Sequence, residues 1–123
     1  MRIIYIAGPM TGIPEFNKPA FFAAEEKLRE QGMLAINPAK HEMSEPTWER
    51  YMRMAIVSML KANEIALLPG WQESRGAKLE LLIAQNVGMP SWDYRDGVLH
   101  ECGTTPPLDA YGELPVPTIK EPN

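Results

Sequence analysis

Apolar residues fall in short runs along the chain, separated by stretches whose apolar positions recur at helical spacing. Arg2 to Ala7 is a run rich in β-branched and aromatic residues, stopped by Gly8-Pro9, and it predicts a buried strand. Asn17 is placed to cap the helix that follows, with Pro19 in its first turn. Phe21, Ala24 and Leu28 form the inward face of that helix until Gly32 ends it. Met33 to Ile36 predicts a second strand, closed by Asn37-Pro38. From Trp48, the positions Tyr51, Met52, Ala55, Ile56 and Met59 make one helical face. Glu64 to Leu68 predicts a third strand, ended by Pro69-Gly70. A helix from Gly76 to about Val87 follows, and Met89 to Tyr94 is a fourth strand.

The order β-α-β-α-β-α-β with short connections implies α/β architecture in residues 1–94: a parallel sheet of about four strands with helices on both faces. Residues 95–123 differ in composition. The stretch from Leu99 to Asn123 holds five of the 12 prolines and shows no strand or helix period, which predicts an extended Pro-rich C-terminal tail.

A length of 123 residues fits one domain, and a hydrophobic content of 45% is enough for a core. The net charge of −4 argues against duplex nucleic acid or an anionic membrane as main partner, because both select clustered Lys and Arg. No apolar run reaches the roughly 20 residues that span a bilayer. The lone Cys102 allows no internal disulfide and no multi-cysteine zinc site, which suits a reducing cytoplasm. His41 and His100 have no partners at ligand spacing, so neither a metal site nor a cofactor is expected.

In open α/β sheets, ligands collect at the carboxyl ends of the strands. Two loops with unusual composition fall there. Gly8-Pro9-Met10-Thr11-Gly12 follows the first strand; it reads as a loop that brings backbone N–H groups close to a ligand, or as a plain tight turn. Ser74, Arg75 and Gly76 open the third helix. They could hold an anion through hydroxyl, guanidinium and N–H groups, or simply be an N-cap with a solvated arginine.

Glu80 is the sharper signal. Its helical neighbours Ala77, Ile83, Ala84 and Val87 are all apolar, so the carboxylate falls on the buried face, where an unpaired charge is costly. A buried salt bridge or a capping contact would explain it structurally; a carboxylate facing a ligand pocket would explain it functionally. Tyr5, in the first strand, can reach either the core edge or that pocket. Glu25 and Glu26 lie on a mixed face and read as surface charge.

At these residues the chain resembles the nucleoside 2-deoxyribosyltransferase superfamily, and most of all its small phage and bacterial members of unassigned function. The matching pieces are Tyr5-Ile-Ala-Gly8-Pro-Met-Thr-Gly12, Asn37-Pro38, and Leu67-Leu-Pro-Gly-Trp-Gln-Glu-Ser-Arg-Gly-Ala-Lys-Leu-Glu80. The resemblance implies a flavodoxin-like, Rossmann-like fold and cleavage or transfer of the N-glycosidic bond of a (deoxy)nucleoside or nucleoside 5′-monophosphate. It makes Glu80 the nucleophile that forms a covalent glycosyl-enzyme, with Tyr5 positioning it. Gly8 to Gly12, Asn37, Ser74 and Gly76 become substrate-binding, and the charge of Arg75 favours a 5′-phosphate. It further implies a homodimer or higher homo-oligomer, for which Trp48, Trp71 and Trp92 offer contact surface.

One departure stands out. The superfamily pattern carries an aspartate on the second helix and another at the start of the third strand, where this chain has Ala55 and Asn63. Glu73 and Glu64 are the acids that could substitute for the first. The alternative is a non-catalytic nucleotide-binding protein that has lost the acid. A nucleotide phosphoribohydrolase of the lysine-decarboxylase-like type fits less well, because Trp71 stands where its loop has a second glycine.

Overall fold

The computed structural model describes residues 1–41 and 47–102. Its strands are β1 (Ile3–Ala7), β2 (Leu34–Ile36), β3 (Glu64–Leu67), β4 (Ser91–Arg95) and β5 (Val98–Glu101), and its helices are α1 (Lys18–Glu30), α2 (Trp48–Met59) and α3 (Arg75–Asn86). The sheet order is β2-β1-β3-β4-β5. The first four strands run parallel, and β5 returns antiparallel along β4. This is the doubly wound order whose direction reverses between β1 and β3, and the crevice at that reversal is where such sheets bind ligands.

Alternation along β1 divides the core. Ile4 and Ile6 face one side with Phe21, Ala24 and Leu28 of α1, while Tyr5 and Ala7 face the other with Met59 of α2 and Ala77, Leu81 and Ala84 of α3. Helices therefore cover both faces, as the element order implies. Tyr5 points to the α2–α3 side, the same side as Glu80.

Local chemistry fixes the ends of the elements. Thr47 Oγ1 accepts from Arg50 N at 3.2 Å to start α2, and Ser74 Oγ accepts from Ala77 N at 3.1 Å to start α3. Asn37 Oδ1 accepts from Ala39 N at 2.8 Å, turning the chain after β2 into a short 3-10 turn at Pro38–Lys40. Asn17 does precede α1, but its side chain does not cap it: at a φ of 59° it donates instead to the Pro9 carbonyl at 2.9 Å. That bond ties the loop after β1 to the start of α1.

Three expectations need correction. Residues 98–101, assigned to the extended tail, form the edge strand β5. Asp96 and Gly97, with φ of 47° and 82°, make the two-residue turn before it, with Arg95 opposite Val98. Residues 103–123, the rest of that tail, lie outside the described residues. Glu25 is not surface charge. It is buried beside Phe21, Ala24 and Leu28, and pairs with Lys40 and, at 3.8 Å, with Arg29. On α3 the buried stripe is Ala77, Glu80, Leu81 and Ala84, while Val87 is exposed. Among the described residues no helix is long and apolar enough to cross a membrane.

Gly8 is where β1 must come closest to its neighbour. A Cβ there would sit 2.8 Å from Leu68 Cβ, the root of a side chain that cannot swing away. Gly8→Ala should therefore destabilise the fold by about 1–3 kcal/mol, the usual cost of overpacking. Urea unfolding would read this as a lower midpoint with an unchanged slope; an unchanged midpoint would contradict the tight contact.

Candidate functional site

The loops after β1, β2 and β3 meet at the carboxyl end of the sheet. The first closes as a tight turn: Ile13 N donates to Met10 O at 3.2 Å, with Gly12 at a φ of 80° in the third position, where a type II turn needs it. Thr11 and Gly12 sit exposed at its tip. Gly8 is buried below, and Pro9 and Met10 lie between. The tight turn thus occupies Met10 to Ile13, and Met10 rather than Thr11 makes a contact inward, with Tyr51.

Met10 meets Tyr51 of α2. The Tyr51 hydroxyl lies 3.0 Å from Met10 Sδ and 3.3 Å from the Pro38 carbonyl, so one side chain touches the loops after β1 and β2. Asn37, beside Pro38, is buried, and its Nδ2 has no hydrogen-bond partner. The sequence pattern reads Tyr51 as one more apolar position on α2, and the special role of its hydroxyl has no signature there.

Behind this contact lies Glu80, only 5% exposed. Its Oε2 and the hydroxyl of the fully buried Tyr5 both lack a well-formed hydrogen bond. The two groups nevertheless interact. Burial drives the Glu80 carboxyl up to about 8, and the nearby Tyr5 hydroxyl holds it back from rising further. Tyr5 is itself raised, first by burial and then by the Glu80 charge. Tyr51 is raised in the same order of causes. One carboxyl and two phenols thus share a desolvated space between β1, α2 and α3. Each buried polar atom left unpaired costs about 1–3 kcal/mol, so such atoms call for a ligand or a function.

The start of α3 forms a second part of the site. Gly76 lets α3 lie against α2, since a Cβ there would be 2.9 Å from Met52 Sδ. Arg75 stacks over the Trp48 ring at 3.7 Å from its centroid. Ser74 caps α3, as the structural reading expects. Among the described residues neither Arg75 nor Ser74 forms a hydrogen bond or ion pair with Glu80.

A shallow cleft of about 340 Å³ opens where β3 and β4 end, lined by Leu67, Pro69, Gly70, Trp71, Gln72, Asp93, Tyr94 and Arg95, and neither Glu80 nor the start of α3 lines it. Trp71 Nε1 donates to Asp93 Oδ1 at 3.0 Å on its wall.

The two acids considered as stand-ins separate. Glu64 begins β3, at the opposite end of the sheet, where Arg2 grips it with two bonds of 2.9 and 2.8 Å and Trp92 Nε1 donates at 2.9 Å. It cannot reach a ligand at the carboxyl end. Glu73 is at the right end and exposed. Ala55 is buried on α2, and His41 Nε2 lies 3.0 Å from Ser58 Oγ. The three tryptophans are half-buried and held by Arg75, Asp93 and Glu64 rather than projecting freely. Among the described residues no group of three or more His, Cys, Asp or Glu could hold a metal ion.

Residues 2–92 match the family described as a domain of unknown function (DUF4406), and the chain belongs to that family. No curated protein matches the chain.

The raised Glu80 carboxyl makes stability depend on pH in a defined direction. An acid whose folded pKa exceeds its ordinary value of 4.5 favours folding fully below that value, and the advantage drains away as pH rises to about 8. Wild type should lose stability relative to Glu80→Gln over that interval and level off above it. Urea midpoints measured across pH would show this; a constant difference between the two proteins would contradict the burial.

Proposed function

We propose that this DUF4406 domain cleaves or transfers the N-glycosidic bond of a (deoxy)nucleoside or nucleoside 5′-monophosphate, with Glu80 as nucleophile. The observation that carries the reading is the buried, unpaired Glu80 Oε2 beside the unpaired Tyr5 hydroxyl, at the β1–β3 reversal of a doubly wound sheet. The resemblance of Tyr5 to Gly12 and Leu67 to Glu80 to the nucleoside 2-deoxyribosyltransferase superfamily supports it.

The chemistry follows from the environment. The Glu80 carboxylate attacks C1′ of the sugar, and the C1′–N bond breaks with its electron pair leaving on the base. The resulting glycosyl ester is resolved by a second base, giving transfer, or by water, giving hydrolysis. A dry pocket favours this route, because an oxocarbenium-like centre is best matched by a desolvated anion. The Tyr5 hydroxyl orients the attacking oxygen. Burial keeps Glu80 largely protonated at neutral pH, so the nucleophile gains strength as pH rises toward 8.

Arg75 supports a phosphorylated substrate. Its guanidinium is laid flat on Trp48 at the start of α3, with its N–H edge available for a 5′-phosphate. The exposed apolar residues Met54 and Val57 on α2 and Leu60 just after it support contact with a second copy of the chain.

A second reading, a nucleotide-binding protein without turnover, draws on Ala55. That position offers only a methyl group, and Glu64 is committed at the far end of the sheet.

Base release decides between them. Purified protein incubated with a panel of nucleosides and 5′-monophosphates, with and without a second free base, should yield free base or exchanged nucleoside, and Glu80→Ala should yield none while remaining folded. Binding without any product would favour the second reading, and no binding would remove both. In the active case kcat/KM should rise with pH to a plateau above about 8. Arg75→Ala should raise KM for monophosphates by about 10–100-fold and leave nucleosides unaffected, the loss expected for one charged hydrogen-bonding contact. Equal losses on both substrates would contradict a phosphate contact.

A further inference from the structure

We infer that the Tyr51 hydroxyl is the proton donor to the departing base. The inference rests on the glycosidic reading above and gives it the acid that Ala55 cannot supply.

Breaking an N-glycosidic bond leaves a pair of electrons on the base, and the base departs readily only if a proton arrives with them. Two phenols feel the Glu80 charge, Tyr5 and Tyr51. Tyr5 is fully buried in β1 and faces the nucleophile itself. Tyr51 is half-buried on α2 and stands one helical turn before Ala55, on the same face. It reaches the site from the other side, against the loops after β1 and β2.

Its hydroxyl also makes only weak hydrogen bonds. Among the described residues its acceptors are a thioether sulfur, Met10 Sδ, and the Pro38 carbonyl at 3.3 Å. A thioether is a poor acceptor and the carbonyl contact is long, so a ring nitrogen of a bound base can take their place at little cost. By contrast, the Glu64 carboxylate holds three good donor bonds.

Charge couples the donor to the nucleophile. Burial and the Glu80 carboxylate both keep the Tyr51 proton in place. When Glu80 forms its ester bond to C1′, the carboxylate charge disappears, and the phenol becomes more acidic as the base needs its proton. The step balances as follows. The Glu80 oxygen bonds C1′, the C1′–N pair moves to the base, and the Tyr51 proton passes to the base nitrogen. In the second half a water oxygen bonds C1′, its proton restores Tyr51, and Glu80 leaves as carboxylate. Transfer runs with a second base in place of water.

The test compares two leaving groups. 2′-Deoxyguanosine 5′-monophosphate needs a proton for its base to leave; its N7-methylated counterpart carries a positive base that leaves neutral without one. Tyr51→Phe, shown folded by circular dichroism, should cut kcat for the ordinary substrate by about 10²–10⁴-fold and leave release of the methylated base unchanged. It should also lose any solvent deuterium effect on the ordinary substrate's glycosylation step. Equal losses on both substrates, or loss on neither, would overturn the assignment. Wild type releasing neither base would remove the glycosidic reading and this inference together, whereas activity on both with the wrong Tyr51→Phe pattern removes the inference alone.

Discussion

A carboxyl group that nothing neutralises, Glu80 between β1, α2 and α3, is the constraint around which the site is arranged. The same fold treats its other buried carboxylates quite differently. Glu64 is gripped by Arg2 and Trp92, and these bonds pull its pKa down. Glu25 is joined by Lys40 and Arg29. Among the described residues the titratable groups that interact with Glu80 are two phenols, and burial pushes it to about 8. A carboxyl buried without a cation costs stability as soon as it ionises, so its retention there calls for a reason outside stability.

The backbone around Glu80 shows how that environment is made. Gly8 and Gly76 remove the two Cβ atoms that would hold β1 off β3 and α3 off α2. With those approaches closed, Tyr5 and Glu80 come within reach of each other, and Tyr51 completes the space from α2. The ion pair at the other end of the sheet is what anchors the first residues of β1 and β3 in register. Opposite ends of the same pair of strands thus carry opposite electrostatic solutions. One is satisfied by an ion pair, and at the other a carboxyl oxygen and a phenol are buried without hydrogen-bond partners among the described residues.

Most of the fold is legible in the sequence because each element carries its own signals. The β-branched run Ile3–Ile6, the caps at Thr47 and Ser74, and the stops at Gly32 and Gly88 are local, and local signals survive folding. Strand β5 was equally legible: Asp96-Gly97 is a strong two-residue hairpin signal, masked by the proline-rich stretch that follows it. Glu25 fell on the same stripe as Phe21, Ala24 and Leu28, but its partner Lys40 comes from a different element, and no spacing rule reveals that. Glu80 could be singled out because its neighbours on one helix face are apolar. Tyr51 could not, since on an amphipathic helix its ring reads as one more apolar position and nothing marks where its hydroxyl goes. Its position becomes visible only when the loops after β1 and β2 converge on it.

The most direct test of the account is whether Glu80 forms a covalent bond to a sugar. A 2′-fluoro-substituted nucleoside 5′-monophosphate slows both halves of such a reaction, because fluorine at C2′ destabilises the positive charge developing at C1′. Intact-protein mass spectrometry after incubation should show one added glycosyl mass, and peptide mapping should place it on Glu80. An active protein that never carries the adduct, or carries it on another residue, would contradict the central claim.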